Sequence, residues 1–466
     1  MYEISMKQAA EAAGGRLIKG DPDAVIRGVG IDSRTVKEDE IFVAVTGENQ
    51  DAHKFIPMAV ERGCRAVMAS RKEAVENLEG VNVILVDDTL DGLQEMAKWY
   101  LGTLNVKKIA VTGSIGKTTT RDMLYFTLKQ KYRTGKPENN LNNQFGVPLT
   151  IFTFDKDLEV AVLEAGMEHF GEMHRLANVI RPDVAVITMI GISHMENLGS
   201  REKIFESKMQ ITDFFNEDSV LVINDDNDIL SKEACKGNYK VLSIGTGEGE
   251  DVVVSGIVDH ALDGIEFDLT DGDETRHITF GIPGAHNALN GALAYLGAKQ
   301  FGATLDDFQA GLDEMAGVGL TGRRLMIKEG NGFKVIDDSY NAAPDSMKSA
   351  LNTLSLTEGK RRIAIMANMN ELGVNSVQEH FDCGAYAVDK GIDLVIGVAD
   401  KGIDYKRGAE SRGGAAMWFA TKEDLIRELP NILQEGDVIL TKASMTLHLG
   451  EVADWIVDEN RTKAGR

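Results

Sequence analysis

The sequence predicts an α/β protein built from three domains, and three observations support this prediction. The chain has 466 residues, about three times the roughly 150 residues of an ordinary domain. Short apolar runs of strand length alternate with amphipathic helical segments, a pattern typical of parallel sheets covered by helices. In the segment Lys108–Thr120 (KIAVTGSIGKTTT), an apolar run, two glycines and a helical pattern follow one another. We therefore expect domains at residues 1–87, 88–317 and 318–466.

Composition restricts the classes of partner. The chain has 50 Lys and Arg against 73 Asp and Glu, a formal charge of −23, which argues against binding to nucleic acid or anionic membranes. Its three cysteines are odd in number and far apart, so we expect no disulfide framework and a reducing compartment. The N-terminal segment lacks a signal-peptide pattern, and no apolar run reaches membrane-spanning length. We expect a cytoplasmic protein without membrane insertion, and we expect it to be a monomer.

The first predicted domain has strand-like runs and helical segments but no set of catalytic residues. The strand-like runs are Val25–Ile31, Ile41–Val45, Ala66–Met68 and Val83–Val86. Asp32-Ser33-Arg34 lies between the first two, where on its own it is typical of a turn. This part of the chain indicates an accessory or recognition domain.

The middle domain begins with a phosphate-binding pattern. Ile109–Val111 is long enough for a buried strand, and the helical pattern begins at Thr118. Glycines between strand and helix allow backbone N–H groups and the helix N-terminus to face anionic oxygens. Lys117 can reach terminal phosphates, and the Thr118 hydroxyl can bind Mg²⁺. The spacing is G-x-x-G-K-T rather than G-x-x-x-x-G-K-[ST], so an ordinary glycine turn beside a Lys-Thr pair is the alternative.

Polar residues follow two further predicted strands of this domain. Glu164 follows Val160–Leu163, and His194 comes soon after Val184–Met189. Ligands of open α/β sheets gather at the carboxyl ends of strands, so both are candidate site residues and Glu164 suits Mg²⁺. The amides of ENNLNNQFGVP suit phosphate or carboxylate oxygens, and equally an ordinary loop. Lys208 lies in a predicted helix, Lys203–Phe215, where a lone lysine is usually a solvated surface charge.

The remaining chain predicts a peripheral layer of β-hairpins and a third domain of alternating strands and helices. The hairpin layer covers residues 241–282, and Asn287 follows in the first turn of a helix. The glycine-rich stretch Gly317–Gly322 indicates a linker. In the third domain a parallel sheet should open the loops Asp337–Ala342, Asn368–Gly373 and Lys442–Ser444 on one edge. This domain has no G-x-G-x-x-G fingerprint, so a dinucleotide is not indicated.

Together these motifs resemble the Mur ligase family, most closely its members that add a D-alanyl-D-alanine dipeptide. The segments that resemble the family are TGSIGKTTT, NNLNNQFGVPLT, LEAGMEHFGE, DSR with FVAVTG, and DDSYNAAPDSM. The last is the most discriminating. The resemblance covers all three domains and implies a small α/β N-terminal domain, a central P-loop ATPase-like domain and a C-terminal Rossmann-like domain.

The resemblance implies an amide ligase that uses ATP and Mg²⁺. Members of the family activate a carboxylate as an acyl phosphate, which an amine then attacks. The implied substrates are UDP-MurNAc-tripeptide, held by the first domain, and D-Ala-D-Ala, brought by the third. Lys208 matches a carbamylated lysine of the family. The resemblance therefore implies a functional role for Lys208 in place of a solvated surface charge.

The resemblance also assigns residues to roles. For catalysis these are Lys117, Glu164, His194 and Lys208, and for metal binding Thr118, Glu164, His194 and Lys208. For ATP binding they are Gly113, Ser114, Gly116, Lys117, Thr118, Thr119, Asn287, Arg324, Asp337 and Asp338. For substrate binding they are Asp32, Ser33, Arg34, Asn140, Asn143, Tyr340 and Asn341.

Two departures lie in the third domain. The family pattern G-D-M-x-E-L-G reads ANMNELG from Ala367, and K-G-S-R reads KASM at Lys442–Met445. Both concern the predicted dipeptide site, so a related ligase for a different amine is the nearest alternative. A non-catalytic nucleotide-binding protein of the same fold and a P-loop switch ATPase are further alternatives.

Overall fold

The structure is a computed structural model that describes residues 1–47, 50–138, 140–318 and 326–458. Each of its main sheets falls inside one of the three predicted domain ranges.

The first domain is a mixed sheet with strand order β2-β7-β6-β5-β4, beside a small ladder of β1 and β3. Its strands are β1 Ile4–Ser5, β2 Arg16–Lys19, β3 Val25–Ile26, β4 Gly28–Gly30, β5 Glu40–Val43, β6 Ala66–Ala69 and β7 Asn82–Leu85, and its helices are α1 Met6–Ala12 and α2 Ile56–Glu61. The strand expected at Val25–Ile31 is divided at Arg27. Its first half pairs with β1 and its second half with β5, so one apolar run serves two sheets.

The middle domain is a sheet in the order β16-β15-β14-β13-β12-β11-β8-β10-β9. The strands are β8 Lys107–Thr112, β9 Thr134–Gly135, β10 Val160–Glu164, β11 Val184–Ile187, β12 Val220–Asn224, β13 Lys240–Gly245, β14 Val252–Asp259, β15 Ile265–Asp271 and β16 Glu274–Phe280. The helices are α3 Thr89–Thr103, α4 Lys117–Lys129, α5 Gly146–Ile151, α6 Glu172–Ile180, α7 Met195–Leu198, α8 Arg201–Met209, α9 His286–Lys299 and α10 Leu305–Gly317.

The central strands β8, β10 and β11 are buried on both faces. Ala110 packs into the core on one face, and Ile109 and Val111 pack into the core on the other. Burial on two sides explains why these strands are continuous apolar runs. In the register, Glu164 lies beside Val111 and Ile187 beside Thr112, so the carboxyl ends of all three strands meet next to the glycine loop.

Two details of the middle domain differ from expectation. The predicted hairpin layer is not a separate layer, because β14 pairs with β13 and so β14 to β16 extend the central sheet. The helix expected to reach Phe215 ends at Met209 and continues as a 3₁₀ turn, Gln210–Thr212.

The third domain is a sheet in the order β17-β18-β22-β19-β20-β21, parallel except for β17. Its strands are β17 Met326–Gly330, β18 Phe333–Asp338, β19 Arg361–Met366, β20 Leu394–Val398, β21 Ala416–Phe419 and β22 Asp437–Lys442, and its helices are α11 Pro344–Leu356, α12 Ser376–Asp389, α13 Gly402–Ser411, α14 Lys422–Ile432 and α15 Gly450–Val457. The predicted α/β fold class is confirmed. Across the described ranges, no helix has the length and apolar character needed to span a membrane.

Candidate active site

The loop between β8 and α4 requires glycine at two positions. Gly113 has φ +143°, and an added Cβ would lie 1.9 Å from Thr188 Oγ1. Gly116 has φ +86°, and its Cβ would lie 2.6 Å from Asn290 Oδ1. Both backbone angles are ones that glycine adopts without strain. Close packing and backbone conformation therefore require glycine at both positions. Both lie at the helix N-terminus, where a phosphate-binding loop is expected.

The loop is attached to the carboxyl end of β11. Ser114 N–H donates to the Met189 carbonyl at 2.8 Å, and the Ser114 hydroxyl accepts from Gly191 N–H at 2.9 Å. Lys117 Nζ donates to the carbonyls of Gly113 at 2.7 Å and Ser114 at 3.2 Å, so it lies over the loop.

Glu164 is the centre of a buried polar cluster. Its side chain is 1% exposed and accepts hydrogen bonds from Thr118 Oγ1 at 3.0 Å and Asn142 Nδ2 at 2.8 Å. Arg121 Nη1 forms an ion pair with the same carboxylate at 3.1 Å. The predicted neighbours Thr118 and Glu164 are therefore brought together. Arg121 lies one helical turn after Lys117, and that spacing is the sequence signal that could have identified it.

Arg121 should be the main stabiliser of Glu164 in the metal-free protein. Replacing Arg121 with glutamine leaves a buried carboxylate without its cation, which should lower the free energy of opening the middle domain by about 3 to 5 kcal/mol. Hydrogen exchange of the β8 and β10 amides in EDTA measures this quantity. The control is Arg133→Gln, which breaks the exposed Arg133–Asp157 pair and should cost less than about 1 kcal/mol. Equal effects from the two variants would contradict the prediction.

In the asparagine-rich loop, Asn142 contacts the site. The Asn140 side chain accepts from Asn142 Nδ2 at 3.0 Å and thus acts through it. Asn143 Oδ1 accepts from the N–H groups of Phe145 and Gly146 and so holds the start of α5. Asn139 lies outside the described residues. Composition could not predict which of these amides contacts the site, because that depends on which side chain faces β10 in the fold.

Lys208 is buried, so the interpretation as a surface lysine is wrong. Its side chain is 1% exposed, and within the described ranges no acceptor forms a hydrogen bond or ion pair with it. Burial holds the pKa of Lys208 well below its usual value, and the nearby Lys117 cation lowers it further. A buried lysine with a lowered pKa is a neutral, nucleophilic amine.

His194 contacts the third domain. Its backbone has φ +64°, which is uncommon for a residue other than glycine. Its Nδ1 lies 2.5 Å from Glu371 Oε2, in the loop after β19. The His194 imidazole beside it lowers the pKa of Glu371, and the Lys117 charge adds to this, against the effect of burial. The contact is an ion pair without hydrogen-bond geometry, because among the described residues His194 Nδ1 has no hydrogen-bond partner. The ANMNELG segment departs from the family pattern, and nothing in the sequence assigns its Glu371 to the site.

These residues include suitable ligands for magnesium. Among the described residues, no group of three His, Cys, Asp or Glu side chains converges on one point. A hard cation can instead use a hydroxyl, a carboxylate and phosphate oxygens. Thr118 and Glu164 supply the first two 3.0 Å apart, so the donor set fits Mg²⁺ together with a nucleotide.

Asn287 is connected to the phosphate loop through Asn290, a residue that the sequence analysis did not identify. Its side chain donates to the Pro283 carbonyl at 2.7 Å and accepts from Asn290 Nδ2 at 3.1 Å. Asn290 lies against Gly116. Thr119 is half-buried in the first turn of α4. These positions surround the loop in which a nucleotide would lie.

The loops of the third domain open on one edge of its sheet, as predicted. Asp338 pairs with the buried Lys442 at 2.5 Å, and Lys442 also donates to the Asn341 carbonyl at 3.0 Å. Asp337 is 3% exposed and pairs with Lys328 at 2.8 Å, so its contacts are made within the domain.

Tyr340 is half-buried and Asn341 exposed beside these two aspartates. Arg324 lies outside the described residues.

Asp32, Ser33 and Arg34 form a turn on the first domain. Arg34 Nη2 lies 2.7 Å from Asp32 Oδ2, and the hydrogen bonds from Arg34 lower the pKa of Asp32 to about 2. Ser33 is buried and its hydroxyl faces Met58 Sδ at 3.5 Å. The exposed guanidinium is the group in this turn that is available to an anionic ligand.

Family comparisons match all three domains. Residues 25–100 match the Mur ligase family, catalytic domain; residues 111–298 match the Mur ligase middle domain; and residues 322–445 match the Mur ligase, glutamate ligase domain.

Individual relatives match along nearly the whole chain. UDP-N-acetylmuramoyl-tripeptide–D-alanyl-D-alanine ligase of Bacillus subtilis (strain 168) is 36% identical over 464 residues, covering 98% of this chain and 99% of that protein. MurF from Acinetobacter baumannii superposes with a TM-score of 0.88 at 28% identity, covering 98% of this chain and 100% of the other. MurF ligase from Thermotoga maritima in complex with ADP superposes with a TM-score of 0.79 at 27% identity, covering 94% and 98%.

Proposed function

Because this chain belongs to the Mur ligase family, we propose that it is an ATP-dependent, ADP-forming ligase of peptidoglycan precursor synthesis. The reaction joins D-alanyl-D-alanine to UDP-MurNAc-tripeptide. The observation that carries the proposal is the match of the whole chain, at 36% identity, to a ligase named for this reaction. The phosphate loop with the buried Glu164 cluster provides chemistry that fits it.

The reaction has two steps. The tripeptide carboxylate attacks the γ-phosphorus of ATP, giving an acyl phosphate and ADP. The amine then attacks the acyl carbon, forming a tetrahedral adduct that expels phosphate, and the amine proton leaves as the amide forms. The first step brings two anions together and the second develops negative charge on the oxygen of the tetrahedral adduct, so fixed cations and N–H groups supply most of the stabilisation. Lys117 and the loop N–H groups bind the phosphates, with Ser114 holding the loop in place.

Thr118, Glu164, His194 and Lys208 are the residues that would hold magnesium. When bound, magnesium neutralises phosphate charge and orients the transferring group. A bare ammonium could not bind a cation, so this role requires Lys208 in the carbamate form. The neutral amine adds to carbon dioxide and releases a proton, giving an anionic oxygen donor. The low pKa of Lys208 supports this assignment.

The flanking domains bring the substrates. We propose that Asp32, Ser33 and Arg34 bind the uridine nucleotide of UDP-MurNAc-tripeptide. Asn140 and Asn143 would bind the part of the same substrate that reaches the middle domain. Tyr340 and Asn341 are assigned to the amine. Arg324, Asp337 and Asp338 are assigned to ATP on closure of the third domain over the middle domain. We further propose that the protein works as a monomer in the cytoplasm, where ATP and UDP-linked precursors are available.

The departures in the third domain make a different amine the second candidate. Asn368 Nδ2 donates to Asp400 Oδ1 at 2.6 Å, and Met445 is exposed where the family pattern has arginine. Purified protein with ATP, UDP-MurNAc-tripeptide and a panel of amines, followed by phosphate release and product mass, decides between the two. We expect turnover with D-Ala-D-Ala. Turnover with another amine alone would favour the second candidate.

A further inference from the structure

The loop after β19 carries a carboxylate from the third domain to the middle domain. Besides the ion pair of Glu371 with His194, the Glu371 carbonyl accepts from Glu196 N–H at 3.3 Å. His194 lies three residues after Gly191, whose N–H donates to the Ser114 hydroxyl of the phosphate loop at 2.9 Å, so the contact of Glu371 with His194 lies near that loop. A carboxylate of the domain proposed to supply the amine thus lies near the phosphate loop.

Buried contacts hold this loop in one shape. His380 is fully buried, donates from Nδ1 to the Ser376 carbonyl at 2.6 Å and accepts from Met369 N–H at Nε2 at 2.9 Å. Asn370 N–H donates to Ser444 Oγ at 3.3 Å. Glu371 itself has φ +64°. Left-handed backbone at a residue other than glycine persists only where the surroundings impose it, and it is concentrated at functional sites.

One oxygen of this carboxylate is available to a ligand. His194 Nδ1 lies 2.5 Å from Oε2, whereas within the described ranges Oε1 has neither an ion-pair contact nor a hydrogen bond, and the side chain is 44% exposed. The chain already supplies cations for the anionic reactants. The incoming amine arrives as an ammonium ion, which a carboxylate can bind, and it releases one proton to solvent before the neutral amine attacks the acyl carbon.

We propose that Glu371 binds the ammonium group of the incoming amine through Oε1 and holds it near the phosphate loop, while Oε2 stays in contact with His194. This inference deepens the proposed ligase function and rests on it. The third domain would then take a direct part in placing the nucleophile. The ligand of Glu371 would be a primary ammonium group, whichever amino acid or dipeptide carries it.

The test compares wild-type protein, Glu371→Gln, Glu371→Asp and a control, Glu410→Gln, whose side chain pairs with Lys406 on the surface of the same domain. Glutamine keeps the size and removes the charge. We expect Glu371→Gln to raise KM for D-Ala-D-Ala about 10- to 100-fold, as loss of a charged hydrogen-bond partner does. KM for ATP and for the UDP substrate should stay within about 2-fold. Glu371→Asp should recover part of the loss, and the control should match wild type.

Two measurements separate amine binding from domain docking. Positional isotope exchange in ATP, with the UDP substrate and without amine, reports acyl-phosphate formation and should be unchanged in Glu371→Gln. Inhibition by D-lactoyl-D-alanine, which carries a hydroxyl in place of the ammonium, should be equal in both proteins. An equal rise in all three KM values, together with slower isotope exchange, would overturn the proposal. The Glu371–His194 pair would then be a docking contact between the two domains.

Failure of the ligase proposal has a different signature. Wild-type protein would then reject D-Ala-D-Ala but accept another amine from the panel. The same comparison is then made with that amine: a raised KM in Glu371→Gln supports the role of Glu371, and an unchanged KM overturns it.

Discussion

Replacing Lys117 with alanine should lower kcat for ADP formation by about 10³-fold, while the protein stays folded. Lys117 Nζ lies over the phosphate loop, bonded to the carbonyls of Gly113 and Ser114. From there it can turn to the terminal phosphates, where charge develops during transfer. Removing one preorganised donor to such charge costs about 10²- to 10³-fold, and a full cation lies at the upper end of that range. Coupled ADP release at saturating substrates measures the effect.

The matched control is Lys129→Ala on the same helix. Lys129 is 43% exposed and pairs with Glu314 on the surface, so its loss should leave kcat within about 2-fold. A non-catalytic nucleotide-binding protein of this fold would show no ligation in wild type, and therefore no difference between the variants. Equal kcat values for Lys117→Ala and wild-type protein would remove the phosphate loop from the mechanism.

The parts of the site that sequence could predict are those whose signal is local. Gly113, Gly116, Lys117 and Thr118 stand within a few residues of one another between a strand and a helix. Their geometry follows from steric limits that act over that short distance. Glu164 was predictable because a parallel register brings the ends of neighbouring strands together. The same reasoning identified the three polar loops of the third domain.

The remaining contacts depend on packing between distant segments. Asn142 reaches Glu164 from one loop of the middle domain, Asn290 reaches Gly116 from α9, and Glu371 reaches His194 from another domain. No local period or spacing encodes such contacts. Residues 241–282 show the same limit, because alternation predicts strands but not the sheet that they join.

Lys208 shows the limit most clearly. The α8 sequence REKIFESKM is mostly polar, so its pattern does not predict that one of its lysines is in the core. The sequence alone favoured a solvated charge, and only the family resemblance reversed this. Burial of a long cationic side chain without an anionic partner is costly, and such positions are usually functional.

Replacing Lys208 should therefore separate activity from stability. Lys208→Met removes the amine but keeps a side chain of similar length in an apolar setting. We expect it to lower kcat by about 10²-fold or more, because the carbamate cannot form. It should also stabilise the middle domain of the metal-free protein by about 1 to 3 kcal/mol, since burying the unpaired polar group no longer has a cost. Coupled ADP release and thermal unfolding in EDTA measure the two effects.

Lys208→Ala tests the carbamate itself. Alanine leaves a cavity the size of the lost side chain, into which formate or acetate can bring a carboxylate. Millimolar amounts of either anion should restore part of the activity of Lys208→Ala and none of that of Lys208→Met, whose side chain fills the space. Lys203, at the start of α8, pairs with Glu206 on the surface, and Lys203→Ala should match wild type in both assays. A stable, fully active Lys208→Met would mean that this buried amine serves packing alone, and magnesium would then have to be held by Thr118, Glu164 and His194 without it.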